Sequence, residues 1–460
     1  MSQTMNTAER TTVTSSPVPG PMALPLIGGL LQLRGDPLAR VVELRARHGG
    51  FMKLGPLGRR DLFLVTEPTA IRHVLSENHK NYRKGQNAKA LAPILGSGSL
   101  LLEGEQWRRR RRLIQPAFHK QHVAALGNAF VDETDAMLER WRAKSGSALD
   151  ARLEMLGLTM RLTLRNMFRA TPSTLEPLIA AWNTLYEELT ASRRLARLPS
   201  WVPTKQRARV QASLATIDRI LAELIAERTR TDDGSLLATL IRARGENDEP
   251  SLTGRELRDE VMTIFVGGYE TSSNALAFTV ALLAAHADIA ARYRAEVDRV
   301  LGGRIPTAAD LEALPLGRAI LQEAMRMFPP SWMITREAIA DDVVAGFAVP
   351  AGSQLLISSY GVHHAPELWS EPRRFDPDRF LADAQPPKFS FMPFGGGPRV
   401  CLGEQYAMTE MQLALARLAQ RVTLRPAGSG RIEAEAHIGL RPRNPLRVIP
   451  EWRDSTKEAP

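Results

Sequence analysis

Cys401 is the only cysteine in 460 residues, and it sits in the stretch FMPFGGGPRVCLGEQ, 391–405. A single cysteine excludes a disulfide within the chain and any metal site built from several thiolates. A free cysteine is most often a small buried apolar residue, so its neighbours must decide whether this one does more. The glycine run lacks the lysine of a phosphate loop, and Val400 stands where a dinucleotide fingerprint needs its last glycine. No histidine lies nearby in sequence to act as base for a nucleophilic thiol. Ligation of a metal by a lone thiolate remains, with the other ligands supplied by something that is not protein.

A porphyrin meets that need, since haem iron takes four nitrogens from the macrocycle and one axial sulfur from protein. Gly395, Gly396, Gly397 and Pro398 give a tight backbone that can approach a flat ring. From Leu402 the residues LGEQYAMTEMQLALARLAQ read as a helix, which puts Cys401 near a helix N-terminus, where free N–H groups stabilise a thiolate. Gly403 leaves room for the ring, and Arg399 can reach a propionate as a charge-assisted pair. Phe394, Gly397, Arg399, Cys401 and Gly403 spell FxxGxRxCxG, which resembles the haem-binding signature of the cytochrome P450 family. Ala407 and Glu410 also fall where that family's next helix has them. The resemblance implies haem b (iron protoporphyrin IX) as cofactor and Cys401 as its axial ligand, with Phe394, Gly395, Arg399 and Gly403 around it.

A second constellation is FVGGYETSSN, 265–274, in the middle of a long apolar helical pattern. Gly267 and Gly268 should cost helix stability, roughly 1 kcal/mol each relative to alanine. Taken alone, the segment fits a packing notch with a polar pair facing water or the i−4 carbonyl. It also resembles the family's [AG]Gx[DE]T motif of the oxygen-binding helix. By that resemblance Gly267 leaves space for dioxygen, Thr271 donates a hydrogen bond to it, and Glu270 helps deliver protons, as general acid catalysis requires.

Glu323 and Arg326 lie three apart and so on one helix face. Alone, the pair fits an ordinary surface ion pair. With PDRF at 377–380 it resembles the family's ExxR helix and partner segment. The resemblance gathers Glu323, Arg326 and Arg379 into one buried ionic cluster with a structural role. Five consecutive arginines in WRRRRRLIQPAF, 107–118, suggest nucleic acid. However, no aromatic residue interrupts the run, and a helix would scatter five adjacent side chains around its axis. Trp107 and Arg111 share a face and match a WxxxR pair that holds a propionate in the family. The other arginines, Arg110 among them, are expected to face outward as a basic docking patch, although many relatives have histidine at the Arg110 position. By position, Arg336 in ITREA and His363 in YGVHHAPELW also fall where relatives contact propionates, although His364 replaces the usual arginine after that histidine.

These residues need a scaffold. Residues 36–48 have helical apolar spacing that ends at Gly49-Gly50, and FMKLGPLGRRDLFLV from 51 reads as a hairpin. From about 67 to 330 the pattern is almost wholly helical, including a long helix opened by Thr253 and Glu256 as a capping box. VVAGFAVPAGSQLLIS reads as a strand pair, and 421–449 as β-like with a Gly/Ser turn at 427–430. No linker, repeat or low-complexity run appears, and 247–250 is one short polar loop. The expected architecture is therefore mainly α with a minor β portion, a single-domain cytochrome P450 fold over 19–450. It is flanked by a disordered tail at 1–18 and a flexible tail at 451–460.

Composition is that of an ordinary globular protein, with 44% hydrophobic and 24% charged residues. The net charge of +10 favours acidic partners. The first twenty residues lack the basic start and apolar run of a secretory signal. The apolar stretch 24–33 is too short to span a bilayer. These features point to a cytoplasmic protein without a transmembrane anchor; a monomer is the accompanying expectation.

The resemblance covers nearly the whole chain and implies a monooxygenase that inserts one oxygen atom of O2 into a hydrophobic small molecule. Its electrons would come from a separate ferredoxin or flavodoxin with its reductase. A terpenoid or other secondary metabolite is the expected substrate, with a fatty acid as the alternative. The substrate-facing segments would be 83–102, 170–205, 262–271, 330–334 and the turn near Ile438, with Trp332, Met333, Ile334 and Ile438 as candidate contacts. A peroxide-using relative, or a non-enzymatic haem-binding protein, would have no need of the Glu270–Thr271 pair.

Overall fold

The computed structural model describes residues 17–25, 28–85, 91–144, 146–169, 171–191, 204–230, 235–243, 252–382, 386–428 and 431–453. The N-terminal tail through 16, the C-terminal tail from 454, the polar loop at 247–250 and the end of the expected turn at 427–430 lie outside these residues. The described chain is mainly helical and carries four small sheets. Its contacts divide it into two compact units: 1–89 with 322–401 and 434–443, and 90–321 with 402–433 and 444–460. Each unit draws on distant stretches of sequence, so no linker marks a boundary.

The first unit is built on a five-stranded sheet ordered Phe51–Leu57, Arg60–Val65, Gln354–Ile357, Ile334–Ala338, Tyr82–Lys84. The first two strands form the expected antiparallel hairpin, and Gln354–Ile357 runs parallel to the second. The run DLFLV shows no polar alternation because both faces are covered. Phe63 and Val65 enter a cluster with Phe51, Ile71 and Leu355, while Leu62 and Leu64 point the other way onto Val41, Leu44 and Met52. The helix Pro37–His48 supplies two of those residues. Its start is fixed by Asp36, whose carboxylate accepts from the Leu38 and Ala39 N–H groups. The expected strand pair at 343–358 resolves into two outcomes. Asp342–Val344 and Phe347–Val349 form a hairpin through Ala345 and Gly346, both at positive φ, while Gln354–Ile357 joins the larger sheet.

The second unit is helical around Gly254–Ala285, a 32-residue helix opened by the expected capping box. It packs on Ala151–Leu162 and touches Glu404–Arg421. Most of its side chains are buried, so its apolar length reflects a protein core. Among the described residues no single helix is long and apolar enough to cross a membrane. The β-prone tail does not close on its own turn. Val422–Pro426 pairs with Arg447–Trp452, and Ala434–Ala436 pairs with Leu440–Pro442 within the first unit.

Candidate active site

In the first unit, the residues before Cys401 form a loop held by its own backbone. Gly395 N–H donates to Met392 O (3.1 Å), Val400 N–H to Gly397 O (3.0 Å) and Cys401 N–H to Phe394 O (2.9 Å). Gly395 and Gly397 have φ of 76° and 68°, the left-handed region where glycine carries no penalty. The glycines serve different ends. A Cβ on Gly397 would lie 1.8 Å from the Leu75 carbonyl oxygen, and one on Gly396 would lie 2.4 Å from the Phe389 ring. Those two positions are demanded by protein packing. At Gly395 a Cβ would only touch Ile334 at 3.6 Å, and at Gly403, in the second unit, only Phe118 at 3.9 Å. Of these four glycines, only Gly395 and Gly403 have no neighbour nearer than ordinary contact distance. Cys401 itself is exposed, the opposite of the usual buried free cysteine. The next helix begins at Glu404, with Gly403 at its cap, slightly later than the sequence suggested. Phe394 and Arg399 are half-buried.

Behind this loop, Glu323 and Arg326 are both 0% exposed. Arg326 Nε and Nη2 donate to the two Glu323 oxygens at 2.7 and 2.8 Å. Glu323 Oε1 also accepts from Asp376 N–H (3.0 Å) and Arg379 Nε (3.4 Å). The ionic cluster read from ExxR and PDRF thus exists as a bonded group. It connects to the Cys loop by a short path: Arg326 Nη1 donates to His363 O (2.7 Å), and Met392 N–H donates to His363 Nε2 (3.0 Å).

That path corrects the expectation for His363. Its ring is 0% exposed, lies against Phe391 and has Nε2 committed to Met392. It has no open face for a propionate and instead supports the backbone entering the Cys loop. Burial, with His364 and Arg326 nearby, pushes its pKa well below the usual range. Burial likewise lowers His364 to about 4, against a partial counter-effect from the Tyr360 carbonyl. Arg336 is buried in the middle of the five-stranded sheet, with Nη1 on Thr335 O at 2.9 Å. Trp332 donates to His437 O (3.0 Å), and Trp332 and Met333 pack on the Val41–Leu64 cluster. Ile334 reaches Gly395, whereas Ile438 is 68% exposed.

In the second unit, Gly267 and Thr271 are exposed one turn apart in the middle of a mostly covered helix. A Cβ on Gly267 would meet nothing within 4 Å, so packing does not require glycine there; Gly268 sits at ordinary contact with Thr163. The Thr271 hydroxyl donates to Gly267 O at 2.8 Å. Half-buried Glu270 lines a small cavity with Arg152, Asn183, Ser273 and Asn274. Nearby, Glu410 is fully buried, and burial drives its carboxyl well above the ordinary range against a smaller pull from Ser272.

The arginine run forms the helix Gly104–Ile114. Trp107 and Arg111 are half-buried, and Arg108, Arg109 and Arg112 are exposed. Arg110 does not face outward as expected. It is 5% exposed and donates to Glu256 Oε1 (2.7 Å) and Glu260 Oε2 (3.2 Å). Glu260 and its loop partner Ser99 were missed in the sequence, and Glu256 was read there only as part of the capping box. The available signal was Glu256 and Glu260 at i, i+4, one turn apart and so on one face of the charged first turns, GRELRDE, of a helix that is apolar beyond them.

Among the described residues, no group of three His, Cys, Asp or Glu side chains can hold a bare metal ion. An exposed cysteine on a fixed loop, a clear backbone face at Gly395 and a buried ionic brace behind them suit a haem-thiolate protein. The cytochrome P450 family model matches residues 18–448, and the chain belongs to that family. It is 35% identical over 416 residues to the cyclooctat-9-en-7-ol 5-monooxygenase of Streptomyces melanosporofaciens, covering 88% of this chain and 89% of that protein. It is 34% identical to cyclooctatin synthase of the same organism, covering 94% and 95% of the two chains. It is 32% identical to pentalenene oxygenase of Streptomyces avermitilis, covering 91% and 94%. The crystal structure of the cytochrome P450DA heme domain shares the fold, with TM-score 0.85, 24% identity and coverage of 96% and 99%. The protein is thus a cytochrome P450 monooxygenase that uses a haem-thiolate cofactor, O2, a redox partner and a hydrophobic substrate.

Proposed function

We propose that the chain hydroxylates or epoxidises a cyclic terpenoid or similar apolar secondary metabolite, using haem b and electrons from a separate ferredoxin or flavodoxin. The observation that carries the chemistry is the exposed Cys401 on a loop whose shape the protein's own contacts determine. The substrate class is supported by relatives named for cyclooctat-9-en-7-ol and pentalenene, an alkenol and an alkene by their endings.

When bound, the haem would supply oxygen activation, a chemistry that a cysteine sulfur ligand favours. The chain supplies position, dryness and protons. Cys401 would hold the iron, Trp107, Arg111, Arg336 and Arg399 the propionates, and Phe394, Gly395, Gly403 and Gly267 would leave the faces of the ring clear. The Thr271 hydroxyl, which donates to Gly267 O in this structure, would offer its proton to the reaction site. Glu270, on a cavity shared with Arg152, would renew it from solvent. Ile334 is the best supported of the four substrate candidates because it reaches the Cys loop. Glu323, Arg326 and Arg379 would keep that loop in place.

Exposed Arg108, Arg109 and Arg112 on a chain of net charge +10 suit an acidic electron carrier, although Glu105 is close to two of them. A cytoplasmic monomer is the accompanying reading, and a lone cysteine agrees with a reducing compartment.

The test is a spin-state titration. The Soret band of the haem-loaded protein is recorded against cyclic terpenes, fatty acids, steroids, macrolides and small aromatics. A low-to-high-spin shift with cyclic terpenes supports the proposal. A shift with fatty acids alone transfers the protein to the alternative substrate class.

A further inference from the structure

Gly267 and Thr271 open on one face of the long helix. Helical residues turn by about 100° each, so Tyr269, two positions from both, projects from nearly the opposite face. There it is buried and tied to a second helix, Pro172–Ala191. Trp182 of that helix, also buried, donates its indole N–H to the Tyr269 hydroxyl oxygen. The Trp182 ring stands edge-on to Tyr269 at 5.5 Å and to Phe265 at 5.1 Å, and Phe265 stacks on Tyr269 at 5.1 Å. Phe265 and Tyr269 are i, i+4, so the three rings form one block on the back of the turn.

The backbone of the same residue is held as well. Thr159, on Ala151–Leu162, donates its hydroxyl to Tyr269 O at 2.8 Å, nearer than to Met155 O of its own helix at 3.1 Å. One residue earlier, a Cβ on Gly268 would lie 3.4 Å from Thr163 Oγ1, so the backbone passes close to its neighbour at this turn. Tyr269 is thus fixed at its carbonyl by one helix and at its phenol by another.

Glu270 and Thr271 follow Tyr269 directly in the chain. The indole–phenol pair also lines the cavity of about 20 Å³ that Glu270 shares with Arg152, room for about one water. A buried indole N–H that loses its acceptor keeps its desolvation cost, which favours a shift of the ring. Such a shift would loosen the back of the turn and change the surroundings of Glu270 together.

We propose that Tyr269 and Trp182 are positioning residues for proton delivery: their hydrogen bond and ring contact hold the back of the turn, so that the Thr271 and Glu270 side chains keep one orientation. This rests on reading Thr271 and Glu270 as the groups that deliver protons. Neither aromatic residue acts on the reacting atoms itself; each acts through the turn.

The test uses carbon monoxide as a diatomic probe on the reduced, haem-loaded protein. Its C–O stretching band, read by infrared absorption, responds to polar groups beside the bound probe. Thr271→Ala is the reference and should shift the band. Tyr269→Phe and Trp182→Phe each keep an aromatic ring and remove one side of the bond, and both should move the band in the same direction as Thr271→Ala. The double variant Tyr269→Phe/Trp182→Phe should move it no further than either single, because all three lose the same interaction. A band unchanged in either phenylalanine variant while Thr271→Ala shifts it, or additive shifts in the double variant, would overturn the proposal. A band that Thr271→Ala leaves in place would instead refute the position assigned to Thr271, the reading on which the proposal stands.

Discussion

Replacing Glu323 by glutamine keeps the side chain's volume and removes its charge, so it isolates the worth of the buried ionic cluster. The wild-type carboxylate takes two bonds from Arg326, one from Asp376 N–H and one from Arg379. Arg326 is as fully buried as Glu323 and has no water to fall back on. Removing one member of such a pair costs about 3–5 kcal/mol. An exposed pair such as Arg219–Glu223, with both side chains more than half exposed, is worth only about 0.3–0.5 kcal/mol. Over 460 residues, an unfolding entropy near ~2.1 cal/mol/K per residue makes each kcal/mol worth about 1 °C of melting temperature. Glu323→Gln should therefore melt about 3–5 °C lower. It should also hold less haem per chain, because Arg326 braces His363 and His363 braces Met392. A Glu323→Gln/Arg326→Met double variant should lose less than the sum of its singles, by about 1–3 kcal/mol. A Glu323→Gln shift below 1 °C with full haem content, or strict additivity in the cycle, would refute the reasoning.

Gly267→Ala should stabilise the fold by about 0.5–1 kcal/mol, since a methyl there meets nothing and alanine is the better helix former. It should also slow turnover by crowding the exposed face beside Thr271; a variant that is both more stable and fully active would dissociate Gly267 from catalysis. Thr271→Ala should keep O2 uptake but form several-fold less product per electron pair, while Thr271→Ser retains coupling; product yield and peroxide release measure this, and unchanged coupling in the alanine variant counts against the proton role. His363 and His364 stay neutral in the fold with depressed pKa values, so folding disfavours their protonation. Stability from His364 is complete above about pH 6.5 and is lost as pH falls toward about 4, a loss of about 3 kcal/mol. Denaturant midpoints at pH 4.5 and 7 should diverge less in His364→Gln than in the wild type; equal divergence would contradict the assignment.

The legible parts of the site were those encoded locally. Cys401 among its glycines, the Thr253–Glu256 capping box and the Glu323–Arg326 spacing each involve side chains within a few residues of one another, where helix and turn geometry suffices. The illegible parts depend on distant partners. Gly397 needs glycine because of the Leu75 carbonyl, and Gly396 because of Phe389. Arg110 turns inward because Glu260, 150 residues later, lies beneath it. His363 looked like a ligand-binding histidine because its type and position could not reveal that Met392 occupies its ring nitrogen. The tail strands were recognisable by composition, but their pairing was not, because Val422–Pro426 bypasses its neighbour to join Arg447–Trp452.

The central claim is that Cys401 is the axial ligand of the haem. The direct measurement is the absorption spectrum of the reduced carbon monoxide complex of the wild type and of Cys401→Ser. The account predicts the far-red-shifted Soret band of thiolate ligation in the wild type and its loss in Cys401→Ser. A wild type without that band, or a serine variant that keeps it, would contradict the assignment.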